Sequence, residues 1–145
     1  MYFVDRLKLE EQLVYLNQLI FLLEEQQKWQ TPVEKMALER ITHMIIEVIL
    51  DIGNSMIDGF IMRDPGSYED IIEILTDEKV ITSQVANELK EIILWRKKLV
   101  HEYTEVNHEE LCKVFLLKLS SIKAFIPSVT EYLNNELGPV SAFKN

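Results

Sequence analysis

Eight consecutive residues, Arg96-Lys97-Lys98-Leu99-Val100-His101-Glu102-Tyr103, gather three cations, an imidazole and a phenol in a chain that is acidic elsewhere. A histidine titrates near neutrality and can both take and return a proton. An arginine presents a planar fork that clamps a phosphate and stabilises the charge building on its oxygens. Together they suit phosphodiester transfer in RNA, where the 2′-hydroxyl is the nucleophile and neither a serine nor a cysteine is needed. Lys97 and Lys98 add affinity for phosphate. The same cations also complement the dipole of a helix's last turn, so the segment read by itself leaves both roles open.

Geometry limits how these groups meet. Arg96 and Tyr103 are seven residues apart and share one helical face. His101 lies five residues after Arg96, about 140° around a continuous helix. Either the helix ends near His101, or the two side chains meet across a two-fold axis.

The elements that must position the segment are helical. A first helix is expected from about Asp5 to Trp29, with Leu9, Leu13, Leu16, Ile20 and Leu23 alternating spacings of four and three. Leu7, Val14, Phe21 and Leu22 widen that stripe, enough to meet a second subunit as well as the core. Thr31-Pro32-Val33-Glu34 starts a second helix with a capping box and a proline at its first position. It carries Val33, Ala37, Ile41, Met44, Ile45, Val48, Ile52 and Met56 inward and runs to about Met62, before the turn Arg63-Asp64-Pro65-Gly66. Ser67 caps a short third helix, and Thr82 or Ser83 a fourth that delivers the central segment. Asn107 caps a fifth helix to about Leu137, kinked at Pro127 and stopped by Gly138-Pro139. The class is all-α, an up-and-down bundle of five helices over residues 1–138 with a tail over 139–145.

Bulk properties fit one such domain. The chain has 145 residues, 48% hydrophobic and 27% charged, and only 4 Gly and 4 Pro, little material for the turns of a β-rich fold. A formal net charge of −9 argues against indiscriminate coating of nucleic acid but leaves room for a local basic site. The single cysteine, Cys112, fits a reducing cytoplasm. No secretory signal or apolar run long enough to span a bilayer is apparent, so no membrane association is expected.

Two other features in the second helix bear on chemistry. Glu39, His43 and Glu47 repeat at spacings of four, a pattern that can hold a metal. All three lie on one strip with no evident ligands from a second helix, so a solvated charged face is expected and no metal or other cofactor. Gly53-Asn54 interrupts the helix. The glycine allows a close approach of another element, and Asn54 is either a candidate polar contact to RNA in an internal or interfacial space or a solvated side chain beside a packing glycine.

Arg96, four residues, His101, one residue, Tyr103 is a pattern that resembles the HepT-like family of the HEPN superfamily, in particular its YutE-type members. The likeness extends to the Met1-Tyr2-Phe3-Val4-Asp5 opening, Ile52-Gly53-Asn54, Pro65-Gly66-Ser67-Tyr68 and the Trp95-Arg96 entry to the motif. It covers nearly the whole chain. The resemblance implies a homodimeric helical bundle with the motif in an interface cleft. It implies a metal-independent endoribonuclease, the toxin of a type VII toxin–antitoxin pair. Its antitoxin would be a minimal nucleotidyltransferase (MNT type) that adenylylates the motif tyrosine. Carried onto this chain, Arg96 and His101 are catalytic and Tyr103 is the modified residue, with Lys97, Lys98 and Asn54 as supporting contacts. One position departs from the family. The residue after the arginine is commonly Asn or Asp; here Lys97 cannot accept the hydrogen bond that would orient arginine or histidine. That departure favours an alternative: a catalytically idle HEPN module that binds a nucleotidyltransferase or a nucleotide. A third reading is an unrelated interaction bundle.

Overall fold

The computed structural model describes residues 2–138, and the tail expected over 139–145 lies outside them. The described residues form α-helices α1 (Arg6–Glu25), α2 (Pro32–Gly59), α3 (Tyr68–Asp77), α4 (Ser83–Ile93), α5 (Trp95–Val100), α6 (His108–Leu117) and α7 (Leu119–Leu137). A short 3-10 turn, Tyr103–Glu105, joins α5 to α6. The class is all-α as expected. The expected fourth helix is α4 plus α5, interrupted at Leu94, and the expected fifth is α6 plus α7, interrupted at Lys118. Pro127 sits inside α7, and the interruption falls nine residues before it.

Most starts follow from their caps. Thr31 Oγ1 accepts from the Glu34 amide at 3.2 Å while Glu34 Oε1 accepts from the Thr31 amide at 2.9 Å, a complete capping box. Asp5, Ser67, Thr82 and Asn107 each accept from the amide three residues on. The first helix stops at Glu25 rather than Trp29, because the Gln26 backbone is already extended.

Helix α2 is the central rod. Ile45, Ile46, Ile49, Ile52 and Met56 are fully buried, and α2 touches α1, α3, α5 and α6. Its first turns leave the bundle: Val33 and Ala37, expected inward, are exposed. At Gly53 an added Cβ would lie 2.5 Å from Ile71 Cγ2, so the glycine admits an α3 side chain. At Gly59 it would lie 2.7 Å from Val4 Cγ2 and 3.2 Å from the Phe3 carbonyl, where the amino-terminal strand of chain crosses the end of α2. The C-terminus of α2 is closed by Met62 N–H donating to Ile57 O at 2.9 Å, with Ile61 in the left-handed region at φ 57°. Lys79 closes α3 the same way at φ 62°, with Val80 N–H donating to Leu75 O at 2.8 Å.

The bundle is clasped by Arg6. Its guanidinium is buried, donates to Glu10 at 3.0 Å and to the Gly138 carbonyl at 2.7 Å, and also reaches the Asn134 side chain. Leu9, Leu13, Leu16, Ile20 and Leu23 face the core, while Leu7, Val14, Phe21 and Leu22 remain exposed along the far side of α1.

Candidate active site at the end of α5

The segment Arg96–Tyr103 is positioned by two events in the backbone. The ladder of α4 breaks at Leu94, whose backbone stays helical (φ −58°, ψ −26°) while its side chain is 69% exposed. Trp95 and Leu99 then anchor α5 in the core, against α2. The helix ends at Val100, and the amides of both His101 and Glu102 fold back onto the Lys97 carbonyl at 2.9 and 3.2 Å. The helix therefore stops before the histidine, one of the two conditions under which Arg96 and His101 could approach each other.

Arg96 is held on two sides. Its Nε donates to Glu47 Oε1 of α2 at 2.7 Å, and its guanidinium carbon lies 4.5 Å from the centroid of the Tyr68 ring at the start of α3. Its side chain is 23% exposed. Because Glu47 engages Nε, both terminal guanidinium nitrogens are left without a hydrogen-bond partner among the described residues. These two can face a phosphate in an end-on bidentate contact. His43, one turn before Glu47, shares the same carboxylate oxygen at 3.2 Å.

The other expected residues surround this anchor at the surface. His101 is exposed and Tyr103 is 64% exposed. Among the described residues Tyr103 makes no hydrogen bond to Arg96; the ring at the guanidinium belongs to Tyr68. Lys98 lies over the Trp95 ring at 4.4 Å, and Lys97 is extended toward Glu102 at 3.9 Å. Asn54 is exposed on α2, seven residues past Glu47 and so on the same face.

The strip Glu39–His43–Glu47 is not the solvated face expected from its spacing. Each side chain is at most 29% exposed, and each is bonded: His43 to Glu47, Glu47 to Arg96 of α5, and Glu39 Oε2 to His108 Nε2 of α6 at 2.6 Å. The physical reason is that α5 and α6 pack on this face of α2 and bring a cation and an imidazole to carboxylates that would otherwise point into water. Among the described residues no group of three or more His, Cys, Asp or Glu side chains is arranged to hold a metal ion. Partial burial first, and then the charge of Glu47, raise the Asp51 pKa from its ordinary value. Tyr68, Glu47 and His108 were not singled out as a set by the sequence. The spacing of four was visible, but the partners depend on which helices pack on α2.

This bundle, with an arginine, a histidine and a tyrosine at one helix end, belongs to the ribonuclease HepT-like family, whose family model matches residues 9–129. A Bacillus subtilis (strain 168) protein named Putative RNase YutE is 49% identical over 144 residues, covering 99% of this chain and 100% of that protein. A solved structure of YutE from Bacillus subtilis, described as a cytosolic protein of unknown function, matches with a TM-score of 0.95 at 48% identity, over 99% of this chain and 100% of that one. A tri-AMPylated Shewanella oneidensis HEPN toxin in complex with MNT antitoxin shares the fold, with a TM-score of 0.76 at 20% identity over 85% of this chain and 96% of that one. No helix among the described residues is long and apolar enough to cross a membrane.

Proposed function

We propose that this protein is a metal-independent endoribonuclease, the toxin of a type VII HepT/MNT toxin–antitoxin pair, acting in the cytoplasm as a homodimer. The observation that carries the reading is Arg96: a guanidinium fixed by Glu47 and Tyr68 with its terminal nitrogens unengaged, five residues before an exposed His101 that lies just past a helix end. Membership of the HepT-like ribonuclease family supports it. The Shewanella toxin in complex with MNT antitoxin supports the choice of partner.

In this mechanism the His101 imidazole takes the proton from the RNA 2′-hydroxyl. The 2′-oxygen attacks phosphorus, and the bond to the 5′-oxygen breaks. Arg96 stabilises the equatorial oxygens. The 5′-oxygen leaves with a proton from water or the imidazolium, and the upstream product ends in a cyclic phosphate. Lys97, Lys98 and Asn54 contact the strand. The antitoxin transfers adenylyl from ATP to the Tyr103 oxygen with release of pyrophosphate, which places negative charge by the phosphate-binding cations.

The idle-module alternative draws on Lys97, which lacks an acceptor. Glu47 supplies that acceptor from α2, and this favours the enzyme.

The deciding experiment is cleavage of RNA by the purified wild type and by His101→Ala. Loss of the base lowers the rate about 10²–10⁴-fold. Cleavage survives EDTA, falls as salt rises, and fails on RNA carrying a 2′-deoxy residue at the cut. Unchanged cleavage by His101→Ala, or cleavage abolished by chelator and restored by magnesium, defeats the mechanism. No cleavage by the wild type returns the chain to the idle module.

A further inference from the structure

A second feature lies at the other end of the Glu39–Glu47 strip. Between the α1–α2 loop and the start of α6 is an open cleft of about 860 Å³, within the size range of small-molecule sites. Its walls include Trp29, Lys35, Asn107, His108, Glu109 and Lys113.

We propose that this cleft is a nucleotide-binding subsite, with a base stacked on Trp29 and its phosphate held by Lys35 and Lys113. Under the ribonuclease reading, on which this assignment of source rests, the nucleotide belongs to the RNA strand beside the cut. A free mononucleotide offers the same chemistry.

Three observations converge on a nucleotide. Trp29 is half-buried and packed on the core, so its ring is a fixed platform rather than a mobile surface side chain. Every base has a π-face that such a platform accepts. Lys35 and Lys113 are exposed and form no ion pair among the described residues. Other described cations, Lys8, Lys28, Arg40, Lys79 and Lys98, also have no carboxylate partner; what sets Lys35 and Lys113 apart is that both line this cleft, one from α2 and one from α6. Glu109 is the one carboxylate in the wall, since Glu39 behind His108 is already engaged by that imidazole. Asn107 uses its side-chain oxygen to cap α6, which leaves its amide hydrogens to donate toward a base edge.

The placement also fits a strand that passes the motif. Glu39 fixes His108 in the cleft wall, and Glu47 fixes Arg96. The two carboxylates are eight residues apart on one helix, about 12 Å along its axis. The chain itself runs from Tyr103 through the 3-10 turn directly into Val106 and Asn107 of the cleft.

The test is tryptophan emission during titration of the full-length His101→Ala protein with a short 2′-O-methyl oligonucleotide, and separately with AMP. Trp95 is only 6% exposed, so quenching reports on Trp29. The expected result is saturable quenching by the oligonucleotide. It is lost in Trp29→Phe, and affinity measured by anisotropy falls about tenfold in Trp29→Leu. The Lys35→Ala/Lys113→Ala double variant, at two exposed positions where folding is not at risk, weakens binding and flattens its salt dependence. Saturation by AMP with no response to the oligonucleotide keeps the subsite and removes RNA as its source. No quenching by either probe, or equal affinity in the double-lysine variant and its parent, overturns the proposal. Because this probe cannot be cut, binding without any RNA cleavage by the wild type upholds the subsite and defeats the nuclease reading. Cleavage by the wild type with unchanged KM in Trp29→Leu does the reverse.

Discussion

Glu47 and Arg96, 49 residues apart in the chain, meet at 2.7 Å across the packing of α2 and α5. The carboxylate engages Nε and leaves the two terminal nitrogens for an end-on bidentate contact with a phosphate. Glu47→Ala is therefore expected to lower kcat/KM for RNA cleavage about 10–100-fold, because the clamp loses its orientation. Glu47→Gln retains an acceptor and recovers part of the loss, and Lys97→Asn changes little. Rates measured alongside circular dichroism check this. Wild-type activity in a folded Glu47→Ala protein would mean that the contact serves stability alone.

The patch around the motif predicts the assembly. Leu94 just before α5, Tyr103 just after it and Tyr68 against Arg96 are all exposed, and exposed apolar surface can mark an interface. Leu94→Asp is expected to yield a monomer in light scattering and to abolish cleavage together with the dimer. The rival surface is the stripe Leu7, Val14, Phe21 and Leu22 on α1. If Phe21→Asp dissociates the protein while Leu94→Asp does not, the shared cleft is wrong.

Ile61 is a β-branched residue held at φ 57° in a position that favours glycine. Ile61→Gly removes that strain at some cost in unfolded-chain entropy, for a net gain of about 0.5–1 kcal/mol. The side chain is 64% exposed, so little packing is lost. The urea midpoint should rise at constant m-value, and Lys79→Gly should act in the same direction. A lower midpoint for both would show that the side chains matter more than the backbone.

Tyr132 gives an alkaline signature. Burial first, then the charges of Glu136 and Glu78, push its phenol up to about 12. The folded state then holds this proton more tightly than the unfolded chain, so the contribution to stability is present below the ordinary tyrosine pKa, near 10, and lost as pH rises through about 12. Phenolate absorbance should show one tyrosine ionising late, a step missing in Tyr132→Phe. Coincident titration of all tyrosines contradicts it.

The helical class and the starts of the helices were legible because caps are local. Thr31, Ser67, Thr82 and Asn107 each announce a helix within four residues. The ends were less so. No glycine marks the close of α2 at Ile61, and no residue type marks the break at Leu94. In the site, Arg96, His101 and Tyr103 stood out by type and spacing. Glu47, Tyr68 and His108 did not, because a carboxylate on a helix looks the same whether it faces water or an arginine from another helix. The pairing exists only once α5 and α6 have packed.

The Arg6 clasp has a consequence for how the chain assembles. Its contact with Gly138 joins residues 132 positions apart. Closing a loop of that length costs about 4 kcal/mol of chain entropy before any bond repays it. A free chain cannot meet that cost with one buried arginine. The cost falls once α1 has packed on α2 and α7 on α4, which shortens the distance left to close. The contact between the first turn of α1 and the last turn of α7 is therefore expected to form late in folding, after each helix has packed on its neighbours.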